Sequence, residues 1–166
     1  MVGLYKRLWI NAWRKILSSR VLTLDGWVAF DLPRSVTVLG EALLLGLAGV
    51  HVYILMTASA LPGPFVLYAL ALAVGCLIAA VTMVTTIGSV VPQRGWYLGS
   101  LICLGFLGVY LCSRIIRLSG LESLTGRWDV APGTLAMALA AGFIALHTTV
   151  LSGINVAYPN RQGWQD

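Results

Sequence analysis

The stretch FVLYALALAVGCLIAAVTMVTTIGSVV, residues 65–91, contains no charged residue and decides the class of this chain. A helix needs about 20 apolar residues to cross a hydrocarbon core of about 30 Å, and this stretch is longer than that. Three further apolar stretches occur at Val36–Met56, Tyr97–Ile116 and Pro132–Ile154. The sequence therefore predicts an all-α, polytopic membrane protein with four transmembrane helices.

The composition agrees with this class and indicates how the spans are arranged. Of the 166 residues, 58% are hydrophobic and only 10% are charged, a balance typical of membrane proteins. The connections between the spans are short, so consecutive spans are expected to be antiparallel neighbours in one four-helix bundle. The net charge of +5 needs only an anionic membrane surface as its explanation, and the sequence has no nucleic-acid-binding signature.

A basic segment, residues 1–34, precedes the first span, and a short polar tail, residues 155–166, follows the last. Apolar and basic residues of the first segment fall on opposite arcs of a helical wheel, although a frayed basic leader is an alternative interpretation. The pattern predicts an interfacial amphipathic helix on anionic lipids. The residues expected to contact lipid there are Lys6, Arg7, Trp9, Trp13 and Arg14.

The distribution of basic residues predicts the topology. Six of the eleven Lys and Arg residues precede the first span, which favours a cytoplasmic N-terminus in the cell inner membrane. The first loop, Thr57–Pro64, is uncharged and suits the outside, while the second, around Pro92–Arg94, is basic and suits the inside. The third loop is more basic than an outside loop usually is. We expect both termini to be cytoplasmic.

Small residues on each span indicate where helices approach one another, because lipid gives apolar helices no hydrophobic reason to associate. The three cysteines lie inside spans without a CxxC pair and are interpreted as packing residues. Cys103 and Cys112 are expected on opposite faces of one helix. The small residues expected at helix contacts are Gly46, Gly49, Ala71, Gly75, Ala79, Gly105, Gly108, Ala138 and Gly142.

Three polar residues lie inside spans, where each is a candidate for function because polar groups are costly in hydrocarbon. Glu41 is either paired with Arg34 or Arg94 or is a protonatable functional group. His51 and His147 raise the possibility of a shared haem. In an alternating topology, however, they lie about 24 Å and about 8 Å from the inner boundary. That difference in depth predicts that they do not ligate one iron.

A single histidine can still bind a chlorin, and one stretch bears on this. Phe30-Asp31-Leu32-Pro33-Arg34, Gly40, His51, Ile54-Leu55 and Thr57 resemble the α polypeptide of purple-bacterial light-harvesting complexes. The resemblance implies bacteriochlorophyll bound through His51, with a helix-end histidine bonded to a neighbour or to water as the alternative. The extra Leu32 and the four spans depart from that family, which has one span.

The third loop carries a second resemblance. Ser113-Arg114, Leu118, Gly120, Leu121, Gly126, Trp128 and Pro132-Gly133 are similar to the third loop of a broad group of four-span actinobacterial membrane proteins. Arg117 and Ser119 depart from that group's pattern. The resemblance implies an architecture rather than an activity. From the residues themselves, Arg114, Arg117 and Trp128 are expected at the membrane interface, with the two arginines pairing with Glu122 or Asp129 or binding lipid phosphate.

These observations favour a non-enzymatic accessory subunit of a larger membrane complex concerned with electron transfer or energy conversion. Its expected partners are other membrane subunits and anionic lipids. No nucleophile with its base, metal cluster or phosphate-binding loop is recognisable in the sequence. Two alternatives stay open. The first is an antenna-like subunit that binds chlorophyll or bacteriochlorophyll through His51, although His51 could instead contact a partner subunit. The second is a small transporter or quinone-interacting protein that uses Glu41.

The topology can be tested by cysteine-accessibility labelling in intact cells. We expect Ser59→Cys and Ser123→Cys both to react with a membrane-impermeant reagent from the outside, because the first and third loops are then external. Labelling of Ser123→Cys only from the cytoplasmic side would contradict the topology.

Overall fold

The computed structural model describes residues 33–58, 61–85, 90–116, 126, 131–155 and 157. These residues form four helices, namely α1 (Pro33–Thr57), α2 (Gly63–Val84), α3 (Val90–Ile115) and α4 (Ala131–Leu151). All four are long and apolar enough to cross a membrane, which confirms the predicted all-α, four-span architecture. The predicted interfacial residues Lys6, Arg7, Trp9, Trp13, Arg14, Arg117 and Trp128 lie outside the described residues.

The helices form an antiparallel ring in which each packs against its two neighbours along the ring, with α4 closing against α1. Gly40, near the start of α1, approaches Met83 at the end of α2. Gly133, near the start of α4, approaches Tyr110 close to the end of α3. Ends and starts therefore alternate around the bundle, as short connections between spans require.

The boundary between the second and third spans differs from the prediction. Helix α2 ends at Val84 and α3 already begins at Val90, so Pro92-Gln93-Arg94, predicted as a loop, belongs to the start of α3. Proline is tolerated there because the first backbone N–H groups of a helix have no intrahelical acceptor. The apolar stretch 65–91 runs through this break without a charged residue, so hydropathy alone did not reveal it.

The outer surface of the bundle is apolar, while its interior combines small and aliphatic residues with aromatic side chains such as Trp96, Phe106 and Phe143. Exposed apolar patches of this extent mark a surface that meets membrane or another protein. Inside, Cys76 and Cys103 are fully buried free thiols, whereas Cys112 is exposed. The predicted packing role is therefore confirmed for Cys76 and Cys103 but is wrong for Cys112 within the bundle, and Cys103 and Cys112 lie on opposite faces as predicted. Large exposed side chains include Val38, Leu67, Val81, Leu101 and Ile115.

The predicted small-residue contacts are only partly correct. Gly46, Gly75 and Gly142 meet side chains of neighbouring helices, but no atom outside its own helix lies within 4 Å of a Cβ built at Gly49, Gly105 or Gly108. Ala71 and Ala138 are exposed. Helix α3 instead makes its close approaches through two glycines that were not predicted. These are Gly95, whose Cβ would lie 2.8 Å from the backbone nitrogen of Met83, and Gly99, whose Cβ would lie 2.7 Å from Phe143.

We expect Gly95→Ala to lower the stability of the purified chain by about 1–3 kcal/mol, because the added methyl group collides with the α2 backbone. Its Cβ would lie 2.6 Å from Thr82 Oγ1 and 2.8 Å from Met83 N. The matched control is Gly108→Ala, which meets nothing within 4 Å. Thermal unfolding in detergent, followed by circular dichroism, measures both. Equal melting temperatures for the two variants would contradict the packing described for Gly95.

Candidate functional site

Trp96 is the central side chain at the end of the bundle where α1 and α3 begin, which we call the Glu41 end. Its indole is 3% exposed and lies against Gly40, where a Cβ would be 2.7 Å from the ring carbon Cη2. The ring stacks on Phe143 of α4 with centroids 5.3 Å apart and an interplanar angle of 19°. One side chain of α3 thus contacts both α1 and α4. The sequence prediction missed it because Trp96 was assigned to the second loop.

His147 lies beside Trp96 and is held by side chains of α3. Its Nδ1 is 2.5 Å from the Ser100 hydroxyl, and its ring centroid is 5.5 Å from that of Trp96 and 5.2 Å from that of Tyr97. Trp96 and Ser100 are four residues apart and therefore share a face of α3. The imidazole is buried, so a neutral, hydrogen-bonded histidine of the bundle interior is what the geometry describes.

Glu41 follows Gly40 directly on α1 and is half-buried. Its Oε1 is shielded from solvent and has no hydrogen-bond partner in the part of the chain that the structure describes. The same is true of the indole nitrogen of Trp96. Arg34 and Arg94 are exposed, and neither is bonded to that oxygen. The pairing of Glu41 with one of them, one of the two interpretations of the sequence, is not observed for Oε1.

His51 lies towards the opposite end, where α1 ends and α2 begins, which we call the His51 end. Its Nδ1 is 2.9 Å from the Leu47 carbonyl oxygen. A carbonyl can only accept a hydrogen bond, so Nδ1 carries the hydrogen and Nε2 has the lone pair. Phe106 meets the ring edge-on with centroids 5.3 Å apart, and Tyr68 does so at 6.2 Å.

The surroundings of His51 do not fit a chlorin. A lone pair on Nε2 with Nδ1 bonded to a carbonyl is the arrangement that histidine ligands adopt. The side chain, however, is only 3% exposed, and Phe106 and Tyr68 pack against it. A macrocycle could reach Nε2 only if these side chains moved. The expectation that the imidazole reaches water or a partner is likewise not met in the folded bundle.

The two histidines lie at different levels of the bundle. His51 packs against Phe106 of α3, whereas His147 packs against Trp96 and Ser100 of the same helix. Six to ten residues of α3 separate these contacts, a rise of about 9–15 Å. Among the described residues there is no group of three or more His, Cys, Asp or Glu side chains that could hold a metal ion.

Arg114, predicted at the lipid interface, is instead buried between α3 and α4. It is 4% exposed, and its guanidinium carbon lies 4.7 Å from the centroid of the Tyr110 ring, a distance typical of cation–π contacts. Gly133 of α4 makes room for this pair, since a Cβ there would be 2.9 Å from Tyr110 Cε2 and 3.2 Å from Arg114 Nη2. The contact joins the end of α3 to the start of α4.

No known protein family, curated protein or solved structure matches the chain. The resemblances to light-harvesting polypeptides and to four-span actinobacterial proteins therefore rest on their quoted residues alone. Function has to be inferred from the geometry of the bundle itself.

We expect no haem to be held jointly by His51 and His147, because one iron needs both imidazole nitrogens at about 2 Å. A reduced-minus-oxidised absorption spectrum of the protein purified from native membranes checks this, with His51→Ala and His147→Ala as variants. A b-type band that is lost in both variants, while each still inserts into the membrane, would contradict the separation in depth.

Proposed function

We propose that this chain is a non-enzymatic accessory subunit of a larger membrane assembly, and that another transmembrane helix packs on the outer face of α3. The observation that supports this proposal is the pair of glycines at Gly105 and Gly108. Both are exposed, and a Cβ at either would meet nothing within 4 Å. The bundle itself makes no use of the space that these glycines leave.

Glycine inside a helix has a cost that something must offset. Relative to alanine it destabilises a helix by about 1 kcal/mol, because the backbone loses more conformational freedom on ordering. At Gly95 and Gly99 the offset is visible, since a methyl group would collide with α2 or with Phe143. At Gly105 and Gly108 the interior offers no such reason. Close approach of a helix from outside supplies one, because small residues let two backbones meet in lipid.

The spacing of exposed residues on α3 describes the surface that such a helix would contact. Leu101, Gly105, Gly108 and Cys112 are all exposed and follow one another at intervals of four, three and four residues. Intervals of three and four residues separate neighbouring positions on one face of a helix, so these four residues form one continuous stripe. We call these four residues the α3 seam. That the assembly serves electron transfer or energy conversion is an expectation from the sequence alone.

The geometry supports the two alternative functions, pigment binding through His51 and a transport or quinone role of Glu41, to different extents. Pigment binding through His51 would require neighbouring side chains to move, as described above. A role for Glu41 in transport or in contact with a quinone has a specific observation in its favour, namely a carboxyl oxygen that is buried and has no partner among the described residues. Glu41 is on α1, diagonally across the ring from α3, so its role can be examined separately from the α3 seam.

We expect Gly105→Leu to release the partner subunit during co-purification from native membranes, because the larger side chain prevents close helix approach. The variant should still insert, and its melting temperature should not fall, since nothing in the bundle lies near Gly105 and leucine favours a helix more than glycine does. The matched control, Ala71→Leu, enlarges an exposed position on α2 and should leave the partner bound. The native thiol of Cys112 gives a second measurement, because a thiol-directed photo-cross-linker there should capture the same partner. An unchanged set of partners in Gly105→Leu would contradict the proposal.

A further inference from the structure

The Glu41 end of the bundle contains two buried polar atoms of complementary kind, neither with a partner in the described part of the chain. Trp96 Nε1 carries a hydrogen and can only donate, whereas a carboxyl oxygen of Glu41 can accept. Both atoms are shielded from solvent. Buried polar groups are almost always hydrogen-bonded, so two such exceptions at one level need an explanation. We propose that Glu41 is a proton-binding site on one side of the membrane, formed together with the indole N–H of Trp96.

The two residues lie close together because of Gly40. The six-membered ring of Trp96 lies on the bare backbone of Gly40, with Cη2 2.7 Å from where a Cβ would be. Glu41 is the next residue, so its Cα is about 3.8 Å from that of Gly40. Glu41 is therefore on the same turn of α1 as the backbone that the indole contacts. The proposed hydrogen bond between the N–H and the carboxyl oxygen forms through a change of side-chain rotamer.

The charges around Glu41 explain why the ligand is a proton. Of the ionisable groups described at this end, Arg34 and Arg94 are exposed, and Tyr97 and His147 face one another across the Trp96 side. On α2 this end presents Thr82 and Thr85, whose hydroxyls donate to carbonyls of their own helix. No described cation is hydrogen-bonded to Glu41 Oε1. A charged carboxylate oxygen that is shielded from water and has no hydrogen-bond donor is costly, and binding a proton removes that cost.

The site opens towards one side of the membrane. Glu41 lies eight residues into α1, about 12 Å from the start of the helix. Beyond it, the interior towards His51 is formed by side chains such as Leu44, Leu47, Ala73 and Ala140, all buried. These aliphatic side chains offer no hydrogen-bonding group, whereas Ser100 and His147 are hydrogen-bonded to each other on the Trp96 side of the interior. A proton from water at the Glu41 end can bind to the carboxylate, giving a neutral acid, and can return to the same side.

In the protonated state, the oxygen of Glu41 that carries no hydrogen accepts the Trp96 N–H. In the ionised state, the same N–H stabilises the negative charge more strongly, because hydrogen bonds to charged groups are the stronger ones. Trp96 is thus a positioning residue that sets the pH at which the proton leaves. This inference goes beyond the accessory role, since packing on the α3 seam does not require Glu41.

The experiment uses the full chain reconstituted in phosphatidylcholine vesicles and treated with dicyclohexylcarbodiimide, an apolar reagent that adds to protonated carboxyl groups. Peptide mass spectrometry measures the adduct at each carboxyl group between about pH 5 and about pH 9. We expect an adduct on Glu41 at about pH 7, where a carboxyl group in water is ionised. Glu122, in the predicted third loop, is the internal reference and should stay unmodified at that pH. Glu41→Gln should lose the adduct and remain folded.

Two further variants separate a proton site from simple burial. Trp96→Phe keeps an aromatic ring for stacking on Phe143 but removes the N–H, so the midpoint pH of labelling should rise because the carboxylate has lost a donor. Tyr97→Phe, the matched control on the adjacent residue, should leave the midpoint unchanged. The proposal is overturned if Glu41 is labelled no faster than Glu122 at about pH 7. A midpoint in Trp96→Phe equal to that in Tyr97→Phe would overturn the role of Trp96.

Discussion

The contact between Trp96 and Gly40 is the constraint on which the rest of this bundle depends. In lipid, apolar side chains gain nothing by leaving the solvent, so helices are held by close packing and by polar contacts between them. An indole can occupy the interior here only because α1 has no side chain at Gly40. Phe143 of α4 stacks on Trp96, and Met83 of α2 approaches the same backbone at Gly40. All four helices therefore meet at this level of the bundle, where Glu41 and His147 also lie.

The number and type of helices could be predicted from the sequence, whereas one boundary could not. A span is defined by its own length and apolarity, so four apolar stretches are enough to predict four helices. A break between two spans is readily visible in a sequence only if charged residues mark it. Residues 85–91 contain none that is charged, and Pro92 is compatible both with a loop and with the first turn of a helix. Only the fold shows that Trp96 lies inside a helix and faces the interior.

The candidate site was less predictable than the helices. The sequence gives the depth of a residue along its span, but it does not show which face of the helix packs against the bundle interior. His51 was placed by its depth, near one end of its span, which favoured contact with water or a partner. Its spacing from Gly40, Leu44 and Leu47 places it on the face of α1 that the structure buries. The sequence likewise does not show which face of a helix a glycine lies on. Nothing in the sequence distinguishes Gly99, which receives Phe143, from Gly105, which faces outwards, because both lie inside one apolar helix.

Hydrogen bonding separates the polar groups that belong to the packed interior from those that indicate a site. Thr82 donates to the carbonyl of Ala79, and His51 donates to that of Leu47, so each is satisfied within its own helix. His147 is satisfied across the interior by Ser100. Such groups cost the bundle little and need no external ligand. Glu41 has an interior oxygen for which the described chain offers no partner, and it is also the group whose charge is most expensive in lipid. A proton is a ligand that removes the charge without needing a cavity, and it reaches Glu41 without disturbing the α3 seam on the far side of the ring.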